Sequence, residues 1–266
     1  MTHPFRRNRF FRNTLPEVNI SEVGNIRSLH LGTPTIQSSM NIAHPPELVL
    51  SYSRAMMAWL LFVDDLPKHI TQIGLGGGSF ARWLHEYLPE TRQVAIEINP
   101  QVIQVARTSF CLDFEGNNFE IIEADGAEYV QILRGNTDVI LVDGFDGVQI
   151  IDELVGEPFF HDCRIALREK GIFATNWWSG DKRYPLFMQR LRTIFDGQVL
   201  EVPAVTHGNV AVLAFNQVPE LNIEKLKKRA EKLSNAYGLD FFRMLADAKG
   251  KNRHDGKRFV FEKMEK

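Results

Sequence analysis

The sequence predicts an α/β fold built on a doubly wound, mostly parallel sheet with an antiparallel closing strand, next to a small N-terminal β-hairpin element. Apolar, β-branched runs alternate with segments of helical periodicity between residues 69 and 195, which is the rhythm of strand–helix–strand crossovers. The run 139–142 is apolar throughout, as expected of a strand that is covered on both faces. A glycine-rich segment, 74–78, joins the first strand to the first helix of this region.

The segment before this region predicts a small β element. Two short alternating runs, 26–31 and 35–40, flank a Gly-Thr-Pro turn and predict a β-hairpin. A breaker with two prolines follows at 43–46. Residues 47–66 are rich in Leu, Ala and Met and predict one long helix that ends at a proline. The first residues hold four arginines among phenylalanines, which favours a solvated basic tail.

The remaining elements follow from their periodicity. Strands are predicted at 69–73, 93–98, 119–124, 138–143 and 171–177, and helices at 80–88, 101–110, 127–133, 159–168 and 184–195. Two further runs, 199–205 and 210–215, predict the closing antiparallel pair. After residue 219, apolar residues recur at helical spacing between lysines, which predicts an amphipathic helix and then a charged tail from residue 249.

Composition limits the classes of function. The chain has 266 residues and a formal net charge of −2, so nucleic acid is not expected as the main partner. No apolar run has the length of about 18–20 residues that a membrane span needs. The two cysteines are too few for a disulfide framework or a zinc cluster and fit a reducing cytoplasm. We therefore expect a cytoplasmic protein that binds neither nucleic acid nor membrane.

The glycine-rich turn is the first candidate site. Gly74, Gly76 and Gly78 precede Ser79, where a helix begins. Glycines allow the backbone to turn sharply and to lie against a ligand, and the free N–H groups at the helix start point toward the same space. By itself this turn predicts a nucleotide or nucleoside site.

Polar residues also stand at the predicted carboxyl ends of the later strands, where open parallel sheets bind ligands. The second strand ends at Glu97, the third at Asp125-Gly126, the fourth at Asp143 with Asp146 nearby, and the fifth at Asn176. One acid at such a place is usually a helix cap. Acids at several strand ends beside a glycine turn favour a functional group of residues.

The absence of two common motifs limits the classes of ligand that this site could bind. Glu97 lies 23 residues beyond Gly74, near the distance at which an acid meets ribose hydroxyls. A dinucleotide site would have a third glycine where Ser79 stands, and a phosphate loop would have a Gly-Lys pair that is absent. A nucleoside without a phosphate chain remains, such as a sulfonium adenosyl compound, whose positive charge the acids would favour. No metal-ligand spacing is present.

Several motifs together resemble the spermidine synthase family, the polyamine aminopropyltransferases, which have a Rossmann-like fold of the methyltransferase type. The matching segments are IGLGGGS at Ile73–Ser79, AIEINPQVIQVAR at Ala95–Arg107, ADGAEY at Ala124–Tyr129 and DVILVDGFDG at Asp138–Gly147. The resemblance extends to the hairpin with Gln37 and to Tyr52. It implies a tail and β element at 1–45, a nucleoside-binding α/β domain at 46–218, and a helix with a charged tail at 219–266.

The resemblance also implies roles for individual residues. Glu97 would bind the ribose hydroxyls, Asp125 with Gly126 would contact the adenine, and Gln37 would close over the nucleoside. Asp143 would accept a proton from the attacking amine, and Asp146 and Tyr52 would line the amine site. The implied co-substrate is decarboxylated S-adenosylmethionine, without a metal, and the implied partner is a small polyamine. We expect a homodimer.

The sequence departs from the family pattern where the donor would bind. The family turn reads Gly-Gly-Gly-Asp, with an aspartate that binds the ammonium end of the aminopropyl donor, whereas this chain has Ser79. Loss of a charge-assisted contact costs about 1.5–3 kcal/mol. A serine also tolerates the carboxylate of S-adenosylmethionine, which an aspartate would repel. The loop Asp143–Gly147 keeps both family acids but changes the residues between them, and a family tyrosine before the last strand is absent.

Three functions remain open at this point. The first is an aminopropyltransferase that makes a triamine from a diamine such as putrescine. The second is a methyltransferase that uses S-adenosylmethionine, favoured by Ser79. The third is a non-catalytic nucleoside-binding regulatory protein.

Overall fold

A computed structural model describes residues 15–116, 118–145, 150–206 and 208–261. The strands are β1 Val18–Val23, β2 Ile26–Leu31, β3 Ile36–Asn41, β4 His69–Ile73, β5 Arg92–Glu97, β6 Phe119–Glu123, β7 Thr137–Val142, β8 Leu167–Trp178, β9 Val199–Pro203 and β10 Asn209–Phe215. The helices are α1 Ser51–Met56, α2 Ser79–Tyr87, α3 Pro100–Ser109, α4 Gly126–Tyr129, α5 Glu157–Ala166, α6 Tyr184–Ile194, α7 Ile223–Tyr237 and α8 Phe241–Lys251.

The main sheet has seven strands in the order β6-β5-β4-β7-β8-β10-β9. Strands β4 to β8 run parallel, and β10 lies antiparallel to both β8 and β9. This confirms the predicted doubly wound sheet and its antiparallel closing strand. The chain moves outward from β4 to β6 and then returns to β7 on the other side of β4, so the carboxyl ends of β5, β4 and β7 lie side by side.

Alternate residues of the central strands pack on opposite faces of this sheet. Ile70 and Leu141 join one buried cluster, with the helices at both ends of the chain, while Ile73 and Ile140 join another. Strand β7 is therefore buried on both faces, which explains why its sequence lacks polar alternation.

The N-terminal β element is a three-stranded antiparallel sheet in the order β1-β2-β3. The predicted hairpin is its β2–β3 part, and β1 pairs with the free edge of β2. The strand β1 was not predicted, although Gly24-Asn25, between Val23 and Ile26, is a tight-turn dipeptide that could have indicated a hairpin with β2. Gly24 has a φ of +59°, as such a turn requires.

The prediction of one helix over residues 47–66 is wrong. The helix α1 covers only Ser51–Met56 and continues as a 3₁₀-helix over Met57–Phe62, before Val63 is extended. Every residue of the 3₁₀-helix is buried. A segment that is apolar on all sides has no period to distinguish a long regular helix from a short, tighter one.

The C-terminal segment contains the predicted amphipathic helix, α7, and a second helix, α8, which the sequence analysis did not predict. The segment expected to form a charged tail begins inside α8, and its Phe259 is 1% exposed. The main chain around Phe259 pairs with Leu221, so this part of the chain packs on the core. The division of the chain into three parts stays a prediction.

Candidate active site

A cavity of about 1520 Å³ opens at the carboxyl ends of the parallel strands, and the β2–β3 hairpin forms its opposite wall. The predicted site residues that line it are Gln37, Tyr52, Gly74, Gly76, Ser79, Glu97, Asp125, Gly126 and Asp143. Gly78 does not line this cavity, and Asp146 lies outside the described residues. Strand ends that are far apart in the sequence thus meet around one space, as expected at the switch point of such a sheet.

The glycine turn brings β4 and β7 together at the bottom of the cavity. Gly74 has a φ of +89°, and a Cβ at this position would lie 2.2 Å from the main-chain oxygen of Asp143. Only glycine satisfies both conditions. Gly78 has a different role, because a Cβ there would lie 2.6 Å from a methyl group of Leu112. The turn therefore places the backbone of Asp143 directly against the start of the loop.

Glu97 is held at the end of β5 by backbone groups. Its Oε2 accepts a hydrogen bond from the Leu75 N–H at 3.0 Å, and its Oε1 accepts one from the Asn99 N–H at 2.9 Å. Burial raises the pKa of Glu97, and these backbone hydrogen bonds lower it in part. Gly76 and Ile98 supply further backbone hydrogen bonds to this carboxylate. The carboxylate also lines the cavity, where a ribose hydroxyl could share its oxygens with these N–H groups.

Asp125 and Gly126 form the wall at the end of β6. Asp125 caps α4, because its Oδ1 accepts a hydrogen bond from the Ala127 N–H at 2.8 Å. A Cβ on Gly126 would lie 2.3 Å from Ile73 Cγ2, so the glycine allows α4 to approach β4. The capping interpretation of Asp125 is therefore correct for one of its oxygens, and the residue also lines the cavity.

Asp143 lies in a network of side chains at the end of β7. Its Oδ1 accepts a hydrogen bond from Asn176 Nδ2 at 3.1 Å, and Asn176 Oδ1 accepts one from Asn209 Nδ2 at 3.0 Å. Burial raises the pKa of Asp143, while the hydrogen bonds from Asn176 and Tyr52 lower it in part. A carboxyl whose pKa is raised by burial is a better proton acceptor than an exposed aspartate.

Tyr52 connects this network to the N-terminal sheet. Its hydroxyl lies 3.1 Å from the main-chain oxygen of Gln37 and also contacts the Asp143 carboxylate. Burial first, and Asp143 second, raise the pKa of the Tyr52 phenol well above its ordinary value, so it stays protonated at neutral pH. It carries a single hydrogen and can bond only one of the two acceptors at a time.

Ser79 faces the N-terminal sheet at the start of α2. Its Oγ lies 3.1 Å from Ser38 Oγ and donates to the main-chain oxygen of Ser39 at 3.3 Å. Ser38 and Ser79 both line the cavity, so the wall at this place presents two hydroxyl groups and no charge.

Arg82 lies one turn after Ser79 and is 3% exposed. Its guanidinium donates to the main-chain oxygens of Pro45, Gly77 and Phe110, at 2.7 Å for Pro45 and 2.8 Å for Phe110. Burial lowers the pKa of Arg82 to about 10. This cation ties the glycine turn to the proline connector and to the end of α3.

The two tryptophans at the end of β8 occupy different places. Trp177 is 1% exposed and packs among Phe160, Tyr184 and Phe187. Trp178 is 53% exposed at the cavity mouth, and a Cβ on Gly180 would lie 2.4 Å from its ring. Trp177 belongs to the core and Trp178 to the rim.

Three residues of this region escaped the sequence-based prediction of roles. The sequence places Asn176 at a strand end but predicts no role for it, and it predicts no role for Asn209 or Arg82. A buried asparagine or arginine carries no periodic signal. The contacts that define these residues join strands and loops up to 37 residues apart in the chain.

Among the described residues, no group of three or more His, Cys, Asp or Glu side chains is placed to hold a metal ion. None of the helices in the described ranges has the length and apolar character that crossing a bilayer requires.

The sequence and the fold of this chain are similar to those of known proteins. The model of the "Spermine/spermidine synthase domain" family matches residues 49–183. The chain is 70% identical over 258 residues to a "Polyamine aminopropyltransferase" of Neisseria meningitidis serogroup B, which covers 97% of this chain and 98% of that protein.

Two solved structures share the fold. A probable spermidine synthase from Corynebacterium glutamicum superposes with a TM-score of 0.68 at 15% identity, covering 92% of this chain and 95% of the other. Human methyltransferase-like protein 13, solved with SAH, superposes with a TM-score of 0.63 at 21% identity, covering 70% and 91%. At these identities the likeness concerns the fold alone.

Proposed function

This chain belongs to the spermine/spermidine synthase family, and on that premise we propose that it is a polyamine aminopropyltransferase. It would move the aminopropyl group of decarboxylated S-adenosylmethionine to a diamine such as putrescine and release methylthioadenosine. The observation that carries this proposal is the buried Asp143, held by Asn176 and Tyr52 in the same cavity as Glu97.

The cavity suits an adenosyl sulfonium donor. The Glu97 carboxylate lines the cavity at the end of β5, where a ribose diol could bond it, and Asp125 stands next to Gly126 on the wall where an adenine would lie. With Asp143, these acids make the cavity favourable for a cation. Gln37 lies on the hairpin that covers the opposite side.

Asp143 is placed to act as the proton acceptor. A primary amine has a pKa near 10 and reaches the site as an ammonium ion, but only its neutral form is a nucleophile. The carboxylate first anchors the ammonium and then takes one proton from it. The nitrogen lone pair forms the new C–N bond, while the C–S bond breaks and its electron pair leaves on sulfur as a neutral thioether. That leaving group needs no acid.

Asn176 and Tyr52 support this role. Asn176 donates a hydrogen bond to Asp143, and the Tyr52 hydroxyl contacts the same carboxylate and can donate to it in place of the Gln37 oxygen. Such bonds favour the ionised carboxylate that the reaction needs. Tyr52 remains protonated and so remains a donor. When Asp143 accepts the substrate proton, the gain in charge neutralisation inside a buried site offsets part of the barrier.

A methyltransferase is the second candidate because of Ser79. The hydroxyl pair Ser38–Ser79 carries no charge, so it would admit the carboxylate of S-adenosylmethionine as well as a neutral or cationic end group. The presence of the same fold in a methyltransferase is compatible with this candidate.

The experiment that tests the proposal offers both donors to the purified protein. Decarboxylated S-adenosylmethionine and S-adenosylmethionine are each incubated with a mixture of polyamines, and products are identified by mass spectrometry. We expect a triamine and methylthioadenosine from the decarboxylated donor only. A methylated product with S-adenosylhomocysteine would establish the second candidate. Nucleoside binding without turnover would establish a regulatory protein.

A matched variant tests the role of Asp143. We expect Asp143→Asn to abolish transfer and to leave methylthioadenosine binding within about twofold, because the amide keeps the size of the carboxylate but cannot take a proton. Equal loss of transfer and binding would mean that Asp143 holds the donor instead. Asp146→Asn, three residues later in the sequence, tests the proposed amine site separately and should raise the acceptor KM.

We further propose that the protein is a cytoplasmic homodimer. The chain mass is 30.5 kDa, so light scattering of the purified protein should give about twice that value. Its two cysteines, Cys111 and Cys163, are both unpaired, as a reducing compartment would keep them.

A further inference from the structure

Asn176 and Asn209 form a relay that ends on Asp143. Asn176 lies two residues before the end of β8 and is 3% exposed, and Asn209 begins the neighbouring strand β10. Asn209 Nδ2 donates to Asn176 Oδ1 at 3.0 Å, and Asn176 Nδ2 donates to Asp143 Oδ1 at 3.1 Å. Both bonds point in the same direction, toward the carboxylate.

The direction of this relay has a chemical meaning. A carboxamide has a donor end and an acceptor end, so Asn176 can present either one to Asp143. With its N–H toward Asp143 it favours an ionised carboxylate. With its oxygen toward Asp143 it could bond only a protonated carboxyl, because two acceptors without a hydrogen repel each other.

We propose that Asn209 is a positioning residue that holds the Asn176 carboxamide with its N–H toward Asp143 and so keeps Asp143 ionised as the base. Asn209 gives the Asn176 oxygen a partner on the side away from the carboxylate. Donation into that oxygen also polarises the Asn176 amide and strengthens its N–H as a donor. This inference rests on the proposed function for its kinetic consequence, although the geometry of the relay does not.

Other groups around Asp143 also influence its charge. The titratable and charged side chains that line the cavity are Tyr52 and Arg54 from α1, Glu97 at the end of β5, Asp125 before α4, Glu153, and residues 181–183 after β8. Tyr52 contacts the carboxylate directly. A substitution at Asn209 leaves all of these groups in place, so a change in the titration of Asp143 would report the relay.

The kinetic test compares kcat–pH profiles at saturating donor and acceptor. Asn209→Leu removes the donor and keeps the branched shape of the side chain, and we expect the acid limb of the profile to move up by about half a pH unit or more. Asn209→Asp offers only an acceptor and adds a negative charge, so its limb should move further. In Asn209→Leu, kcat should recover to within about twofold of the wild type above the shifted limb. A purely structural role would lower kcat at every pH.

Two controls complete the design. Asn216→Leu makes the same change just after the other end of β10, where the Asn216 amide bonds the main chain of Arg168, and should not move the limb. If Asn209→Leu does not fold, Asn209→Ser serves in its place. An unmoved limb in a folded Asn209 variant would overturn the proposal.

A stability measurement decides the matter even if the protein transfers no aminopropyl group. A carboxyl whose pKa is higher in the folded than in the unfolded protein destabilises the fold as the pH rises from the unfolded pKa through the folded pKa. In Asn209→Leu the decrease of Tm with rising pH should therefore continue to a higher pH than in the wild type. The difference should vanish in an Asp143→Asn background. A difference that persists there would show that Asn209 acts elsewhere, and inactive wild-type protein would count against the proposed function only.

Discussion

At the scale of the residue, the site is built on two partly buried carboxylates whose hydrogen bonds, within the described part of the chain, come from neutral groups. Asp143 accepts hydrogen bonds from two neutral side chains, and Glu97 accepts them from backbone N–H groups. In both residues burial is the largest effect on the pKa, and it raises the pKa. An arrangement of this kind is useful for binding a cationic substrate and unfavourable for the empty protein.

This imbalance predicts the effect of Asp143→Asn on stability. Below the ordinary aspartate pKa of about 4 the carboxyl is neutral in both the folded and the unfolded chain, and it carries no penalty. As the pH rises from there through the raised folded pKa, the unfolded chain ionises more readily, and folding loses free energy. We therefore expect Asp143→Asn to have a higher Tm than the wild type at pH 8, with a gap that closes toward pH 4, measured by scanning calorimetry. The exposed Asp113→Asn should give no such gap, and a constant gap would contradict the explanation.

A second residue-scale prediction concerns Ser79. Ser79→Asp places a carboxylate on the cavity wall beside Ser38. If the donor end group there is an ammonium, its affinity should rise about tenfold, since a charge-assisted contact contributes more than about 1.4 kcal/mol. Affinity for S-adenosylmethionine should fall. Titration calorimetry with both donors measures the two changes, and Ser79→Ala should leave the ratio of affinities nearly unchanged. Equal effects on both donors would mean that the end group lies elsewhere.

The individual site residues differed in how well the sequence predicted them. Residues that stand at the ends of strands, such as Glu97 and Asp143, could be placed because strand ends share one edge of a parallel sheet. Asn176, Asn209 and Arg82 act through contacts that depend on the packed structure. No local pattern distinguishes an asparagine that orients another amide from one that caps a turn.

At the scale of the element, the edge strand β9 shows how α8 is attached. Asn252 directly follows α8, and its Nδ2 donates to the main-chain oxygen of Glu201 at 2.7 Å. Its Oδ1 accepts from the Glu201 N–H at 2.9 Å. The side chain therefore satisfies both main-chain groups of one residue at the sheet edge, as a further strand would.

This attachment predicts the effect of Asn252→Ala. Loss of both hydrogen bonds leaves two main-chain groups of β9 without partners, which costs about 2 kcal/mol or more in the free energy of unfolding. Urea unfolding followed by circular dichroism measures the change. Arg253→Ala, at the next and exposed position, is the control and should be within about 0.5 kcal/mol of the wild type. Because Asn252 does not line the cavity, nucleoside affinity should not change, and a large loss of affinity would contradict this assignment.

The elements that the sequence did not predict have a common physical cause. The strand β1 is exposed along most of its length, so the brief apolar alternation at Val18 and Ile20 does not mark a buried face. The 3₁₀-helix after α1 is buried on every side and lacks a polar face. Hydrophobic periodicity reports one-sided burial, and both segments depart from that condition. The helix α8 does have buried residues at helical spacing, and the charged residues around them obscured it.

At the scale of the whole molecule, the N-terminal sheet is joined to the α/β part by an apolar cluster around Phe110 and also by hydrogen bonds at the site. Tyr52 reaches the main chain of Gln37, Ser79 bonds Ser38, and Asn99 bonds the main chain of Pro16. These contacts come from three different elements of the larger part. A ligand bound between the two parts should therefore stabilise the sheet as well as the cavity.

Hydrogen exchange can test this coupling. We expect methylthioadenosine to slow amide exchange in β3 at least fivefold, because opening of the sheet would release the ligand. Amides of α7, which does not line the cavity, provide the internal comparison. Protection of the two regions to the same degree would indicate general stabilisation, and unchanged exchange in β3 would separate the sheet from the site.

The overall architecture was the most predictable property of the chain. The number of strands in the main sheet, the parallel direction of most of them and the antiparallel closure follow from repeated apolar runs and from the rule that crossovers are right-handed. These predictions depend on many residues at once, so an error at one helix end does not change the predicted architecture.

The close approach of Gly74 to Asp143 has a consequence for which parts of the site can change. A single methyl group at Gly74 would strike the main-chain carbonyl of residue 143, so any substitution of this glycine displaces the backbone that carries the base, whatever side chain stands at position 143. Ser79 bonds Ser38 and the main chain of Ser39 instead, so this constraint does not extend to it. The wall at Ser79 can therefore change its ligand while the junction between β4 and β7 keeps its geometry.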